Sequence, residues 1–152
     1  MIVDWDDRLQ EVVESLKQDG IGGRSVEKST AIMYLLLGEV ELGDPENVYA
    51  IVTHTYVWAR QMGETFFEIV CQLHLQPNFN FISFDHTVFE CHDKKRFIFI
   101  PVADVASKLT GYVLADVYYD LGPYTKKDLP PEVITLISTL RNKWRNNDEF
   151  IT

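Results

Sequence analysis

The stretch Gly22-Gly23-Arg24-Ser25-Val26-Glu27-Lys28-Ser29-Thr30 constrains this chain more than any other part of it. It follows the pattern G-x-x-x-x-G-K-[ST] at Gly22, Lys28 and Ser29, with Glu27 in place of the second glycine. The pattern is a structural demand as well as a chemical one. Glycines let successive backbone N–H groups wrap a phosphate, the lysine reaches the outer phosphates, and the hydroxyl holds Mg²⁺. A chain built this way must run from a tight loop straight into a helix. Thr30 to Leu37 supplies that helix, being almost wholly apolar, and Gly38 is its expected end. A plain helix start capped by Ser25 accounts for Lys28 and Ser29 without any ligand. The segment before the loop is helical in pattern, whereas a phosphate loop is ordinarily entered from a buried strand.

With 152 residues, one domain with a real core is expected, covering the whole chain. Hydrophobic residues make up 46% and charged residues 24%, a soluble globular balance. No apolar run is long enough for a membrane span, and the acidic start Met1-Ile2-Val3-Asp4-Trp5-Asp6-Asp7 lacks the pattern of a secretory signal. Cytoplasmic residence is therefore expected (the host cytoplasm for a viral chain), with Cys71 and Cys91 as free thiols. A net charge of −9 argues against broad binding to a nucleic-acid backbone. Lys126-Lys127 and the set Arg141, Lys143 and Arg145 offer a local basic edge.

Periodicity divides the chain into elements. An amphipathic helix is expected at about 5–18, with Leu9, Val12, Val13 and Leu16 on one face. Val48 to Val52 reads as a short strand of the buried parallel type, and Thr55 to Leu75 as a helix that Pro77-Asn78 breaks. Phe79 to Cys91 and Arg96 to Val102 read as an antiparallel hairpin around His92-Asp93-Lys94-Lys95. Val113 to Asp120 is an apolar strand ending in an aspartate, and Pro130-Pro131 opens a last helix to about residue 146. The many phenylalanines alternate along strands or follow a helix face, as core residues do.

In order, these elements are loop, helix, strand, helix, hairpin, the element Lys108-Leu109-Thr110-Gly111-Tyr112, and the strand Ala115-Asp116-Val117-Tyr118-Tyr119-Asp120. With Lys95-Arg96-Phe97-Ile98-Phe99-Ile100-Pro101-Val102, the set resembles the ATPase domain of phage terminase large subunits, the DNA-packaging motors, within the P-loop NTPases. The resemblance spans roughly Gly20 to Arg141. It implies an α/β fold, a P-loop NTPase-like sheet of mainly parallel strands flanked by helices, with an antiparallel hairpin. It also implies ATP and Mg²⁺ as cofactors, bound through Gly22, Gly23, Arg24, Ser25, Lys28, Ser29 and Thr30. Lys28 would touch the outer phosphates, while Ser29 and Asp120 would hold the metal. Arg24 sits where some packaging motors place an arginine that stabilises the transferred phosphoryl group, so Arg24 and Asp120 are the catalytic candidates. Thr53, His54 and Thr55 fall where related ATPases place polar groups that sense nucleotide or touch DNA. Other motor subunits or a protein partner are the implied companions, with DNA reached only through the basic edge.

Two positions depart from the family. Leu121 stands where a glutamate orients the attacking water, and Glu27 replaces a loop glycine. A carboxylate about 4 Å from a phosphate oxygen is repelled by roughly 4 kcal/mol at an effective dielectric of about 20. The resemblance therefore implies a degenerate site, with binding favoured over turnover. A different class fits the same losses: an acidic, non-enzymatic interaction module that keeps the fold as scaffold. Asp116, on the same face as Asp120, is a further acidic residue to place, either beside the metal or hydrogen-bonded elsewhere.

Overall fold

The computed structural model describes residues 26–151, with side chains described over 28–141. The amphipathic helix expected at about 5–18 lies outside the described residues.

Helix α1 (Val26–Leu42) is followed by strand β1 (Val48–Thr53) and helix α2 (Tyr56–Gln72). Strands β2 (Phe79–Ile82), β3 (Val88–Cys91) and β4 (Arg96–Pro101) come next, then the short helix α3 (Val105–Leu109). Strand β5 (Leu114–Asp120) and helix α4 (Pro131–Ile151) complete the chain. The five strands form one sheet in the order β2-β3-β4-β1-β5. β1 pairs in parallel with both β4 and β5, whereas β2–β3 and β3–β4 are antiparallel. The protein is thus α/β with a mixed sheet, and the expectation of mainly parallel strands needs correction, since half the pairings are antiparallel. The cause lies in the stretch expected to be one hairpin arm. Residues 83–87 turn the chain between β2 and β3, adding a strand at the edge.

Strand alternation sorts the core into two halves. Tyr49, Ile51, Phe97, Phe99 and Tyr118 face α1 and α2, while Ala50, Val52, Ile98, Val117 and Tyr119 face α3 and α4. Because β1 is covered on both faces and paired on both edges, Ala50, Ile51 and Val52 are wholly buried. This matches its continuous apolar sequence. Phe66 of α2 is the centre of an aromatic group, with ring centroids 4.9 Å from Phe89 and 5.7 Å from both Phe97 and Phe99. Two phenylalanines depart from the expectation of core packing. Phe81 is half exposed and Phe84 fully exposed.

Gly38 does not end α1, which runs on to Leu42. The real end is secured from a distance: Lys95 Nζ donates to the carbonyls of Glu39 (3.1 Å) and Val40 (2.6 Å) and lies 3.3 Å from Asp93 Oδ2. A cation there answers the partial negative charge of a helix C-terminus. Helix α2 begins on Thr55, whose side chain accepts from Trp58 N at 3.1 Å. It ends when Leu75 N–H reaches back to Val70 O, with His74 at φ 56° in the place glycine usually fills.

Helix α2 presses on the β2–β3 turn so closely that a Cβ on Gly63 would stand 1.7 Å from the His86 carbonyl oxygen. The turn is built on Asp85. Its Oδ1 accepts from Ser83 Oγ and from Thr87 N–H and Oγ1, and its Oδ2 accepts from Tyr56 O–H at 2.8 Å. Partial burial pushes this carboxyl upward, but those hydrogen bonds outweigh it and leave its pKa at about 2.

Gly63→Ala is expected to cost about 3 kcal/mol in urea unfolding, because the clash is with backbone. Gly38→Ala, where a Cβ meets nothing within 4 Å, is expected to stabilise by about 0.5–1 kcal/mol. Asp85 has a folded pKa below its unfolded value of about 3.9. Its contribution is therefore complete above about pH 4 and disappears as pH falls toward about 2. The stability difference between wild type and Asp85→Asn should close over that window, and a constant difference from pH 6 to pH 2 would refute the assignment.

Candidate functional site

Parallel pairing brings strand ends together. Thr53 closes β1 opposite Asp120, which closes β5, and both side chains are fully buried. In open α/β sheets the carboxyl ends of such strands are where ligands gather. Asp120 and Thr53 lie on the α1/α2 side, since Tyr118 and Ile51, two residues before them, face that way.

The first turn of α1 meets this edge. Ser29 Oγ donates to Asp120 Oδ2 at 2.6 Å, joining residues 91 apart in the chain. The other carboxylate oxygen, Oδ1, is buried without a hydrogen-bond partner. A buried lone carboxylate oxygen is costly unless something completes it. Lys28, on the same turn, is 5% exposed. Burial lowers its pKa below the ordinary lysine value, and the charge of Asp120 offsets part of that fall. The helix N-terminus adds a partial positive charge. A buried acid, a buried base, a hydroxyl and a helix start are thus collected at one point.

Of the residues expected at a site, the structure brings Lys28, Ser29 and Asp120 together. Thr30 lies one residue further along α1 and lines a neighbouring cleft. Gly22, Gly23, Arg24 and Ser25 lie outside the described residues. Glu27 belongs to the first turn of α1.

Thr53 points its Oγ1 at the Thr55 carbonyl, 2.7 Å away. It closes the loop after β1 instead of reaching outward. His54 has a buried Nδ1 without a hydrogen-bond partner. Its ring packs on Gly122, where an added Cβ would stand 2.9 Å from the ring and φ is +65°. Gly122 lies just beyond the end of β5 and has no place in the loop pattern. A Gly-Pro pair two residues beyond the acidic strand end was its signal.

Two acidic and apolar positions are resolved differently from the simplest reading. Asp116 is not beside Asp120. Its Oδ1 lies 3.4 Å from Arg141 Nη2 and accepts from Val117 N–H at 2.8 Å, which also ties up one cation of the basic edge. Leu121 is buried in the core on the α3/α4 side. The strand alternates, so the residue after Asp120 turns away from α1. Among the described residues no three His, Cys, Asp or Glu side chains cluster as a metal site, and no helix is long and apolar enough to cross a membrane. Both cysteines are free, and burial pushes the Cys91 thiol up to about 11, which makes it a poor nucleophile.

Comparison of the chain with family models, with curated proteins and with solved structures finds no match.

Proposed function

We propose that this chain is a P-loop-type, terminase-like ATPase domain whose nucleotide site is degenerate, binding Mg²⁺-ATP weakly and hydrolysing it poorly, in the service of DNA packaging or translocation. The observation that carries the reading is the Ser29–Asp120 hydrogen bond. The motif pattern nominates these two residues for one metal ion, and they are in contact.

In this reading Lys28 neutralises the outer phosphates and the N-terminus of α1 supplies N–H donors to them. Ser29 and Asp120 hold Mg²⁺, and the orphaned Asp120 Oδ1 is the atom best suited to receive the ion or its hydration water. Two protein oxygens are enough for Mg²⁺, which keeps several waters and takes phosphate oxygens for the rest. The bound ion would spread the charge of the phosphates. Hydrolysis is weak because Leu121 lies in the core and sets no carboxylate beside the phosphate to orient water. Glu27 replaces the second glycine of the loop pattern and so sets a like charge against the phosphates.

A second reading, an acidic interaction module, is favoured by Phe84. It is fully exposed on a turn held by four hydrogen bonds to Asp85. An apolar side chain displayed on a stiff support suits a protein partner, including another motor subunit.

Titration with Mg²⁺-ATP, followed by thermal shift and calorimetry, separates the two. A site filled at a hundred times its dissociation constant adds about 2.7 kcal/mol of stability. Wild type is expected to give a small shift at millimolar nucleotide, and Glu27→Gly to tighten binding by about tenfold or more. Asp120→Asn should abolish the Mg²⁺ dependence. Absence of any shift in both wild type and Glu27→Gly, with the fold intact, would sink the nucleotide reading. Leu121→Glu, the apparent repair of the second departure, is expected instead to destabilise by several kcal/mol, because it buries a carboxyl group in an apolar core, about 2–7 kcal/mol without a partner.

A further inference from the structure

Asp120 Oδ1 and His54 Nδ1 are both buried without a hydrogen-bond partner, and they belong to neighbouring strand ends. Thr53 is the register partner of Asp120 across β1 and β5. His54 is the next residue, and neighbouring strands lie about 4.8 Å apart. The ring of His54 is turned toward the strand of Asp120. A Cβ on Gly122, two residues after Asp120, would stand 2.9 Å from Cε1, 3.0 Å from Nε2 and 3.1 Å from Nδ1. The nitrogen-bearing edge of the imidazole therefore faces the loop that leaves β5, and glycine at φ 65° lets it come that near. The ring centroid also lies 6.2 Å from that of Trp58. Trp58 packs on the α1/α2 half of the core, the side that Asp120 faces.

The polar residues around it are already committed. Thr53 Oγ1 donates to the Thr55 carbonyl, and Thr55 Oγ1 accepts from the Trp58 N–H as the cap of α2. His54 is the residue of this turn that keeps a buried atom with nothing to bond. A buried acceptor left alone costs its desolvation, and two at one edge call for a shared donor. Water bound to a divalent cation is such a donor, because the ion polarises its O–H bonds. Mg²⁺ keeps several waters where few protein oxygens reach it.

We propose that His54 helps to hold the divalent cation assigned to Ser29 and Asp120. Its Nδ1 accepts a hydrogen bond from water in the ion's shell, as Asp120 Oδ1 does. The imidazole positions the ion through that water and does not touch the metal. As a neutral ring protonated on Nε2, it supplies an acceptor without adding charge. Groups that hold a metal through its outer shell change affinity by about 10–100-fold. His54 has this role only if Ser29 and Asp120 bind a metal, as the nucleotide reading requires, but nucleotide itself is not needed to observe it.

Mn²⁺ alone, added to the whole chain well below the protein concentration, should broaden the imidazole C–H signals of His54 in NMR. His74, after α2, and His92, after β3, are exposed at the opposite edge of the sheet and should stay sharp. Asp120→Asn should abolish the broadening. Followed by EPR of free Mn²⁺, His54→Leu should weaken binding by about tenfold or more. His54→Asn, whose Oδ1 can stand where Nδ1 does, should keep most of the affinity. His54 signals that stay sharp in the wild type, a result that depends on no variant, would overturn the proposal. So would unchanged affinity in His54→Leu, or equal loss in both variants, which reports a merely structural role. Zn²⁺ held far more tightly than Mn²⁺, and lost in His54→Asn, would mean direct nitrogen ligation and overturn the water-mediated form. Broadening by Mn²⁺ without any binding of Mg²⁺-ATP would count against the nucleotide reading alone.

Discussion

Helix α1 is held at both ends by charge of the appropriate sign, and the site depends on that placement. At its amino end stands the carboxylate of Asp120, taking a hydrogen bond from Ser29. At its carboxyl end stands the ammonium of Lys95, donating to two carbonyls and paired with Asp93. Both arrangements oppose the helix dipole with a countercharge. Asp120 and Lys95 sit on or beside strands flanking β1, so the position of α1 is set by the parallel core. The buried pair of Lys28 and Asp120 is affordable only because the helix start and the Ser29 hydroxyl share the load of stabilising the carboxylate.

Much of this was legible in the residues. The apolar runs of β1, β4 and β5, the hairpin around His92 to Lys95, and the proline start of α4 are all local signals that the fold obeys. Local signals failed where tertiary contact outweighs them. Gly38 looks like a helix end, but open space around it and the Lys95 clamp beyond it carry α1 onward, at a cost of about 1 kcal/mol. The β2–β3 turn was hidden because it uses no glycine. His86 takes φ 59° and Asp85 supplies the hydrogen bonds. Glu46 and Lys94 adopt positive φ in the same way.

The candidate site divides along similar lines. Lys28 and Ser29 could be named from the spacing of the loop pattern, and Asp120 from the resemblance, as the end of an apolar strand. The direction of Leu121 could not, since it depends on which face of β5 meets which helix. The fate of Asp116 depended on Arg141 reaching it from α4, a contact between distant parts of the chain.

The 91-residue separation between Ser29 and Asp120 sets when the site can exist during synthesis. A chain emerging from its amino end carries Lys28 and Ser29 long before Asp120. Until β5 docks beside β1, the lysine stays hydrated with its ordinary basicity, and no buried carboxylate stands near it. Closure of so long a loop comes late on a folding pathway, after the local hairpins and helices. The site is therefore a seal on the finished fold: a partly made chain has every part of its amino half and none of its chemistry.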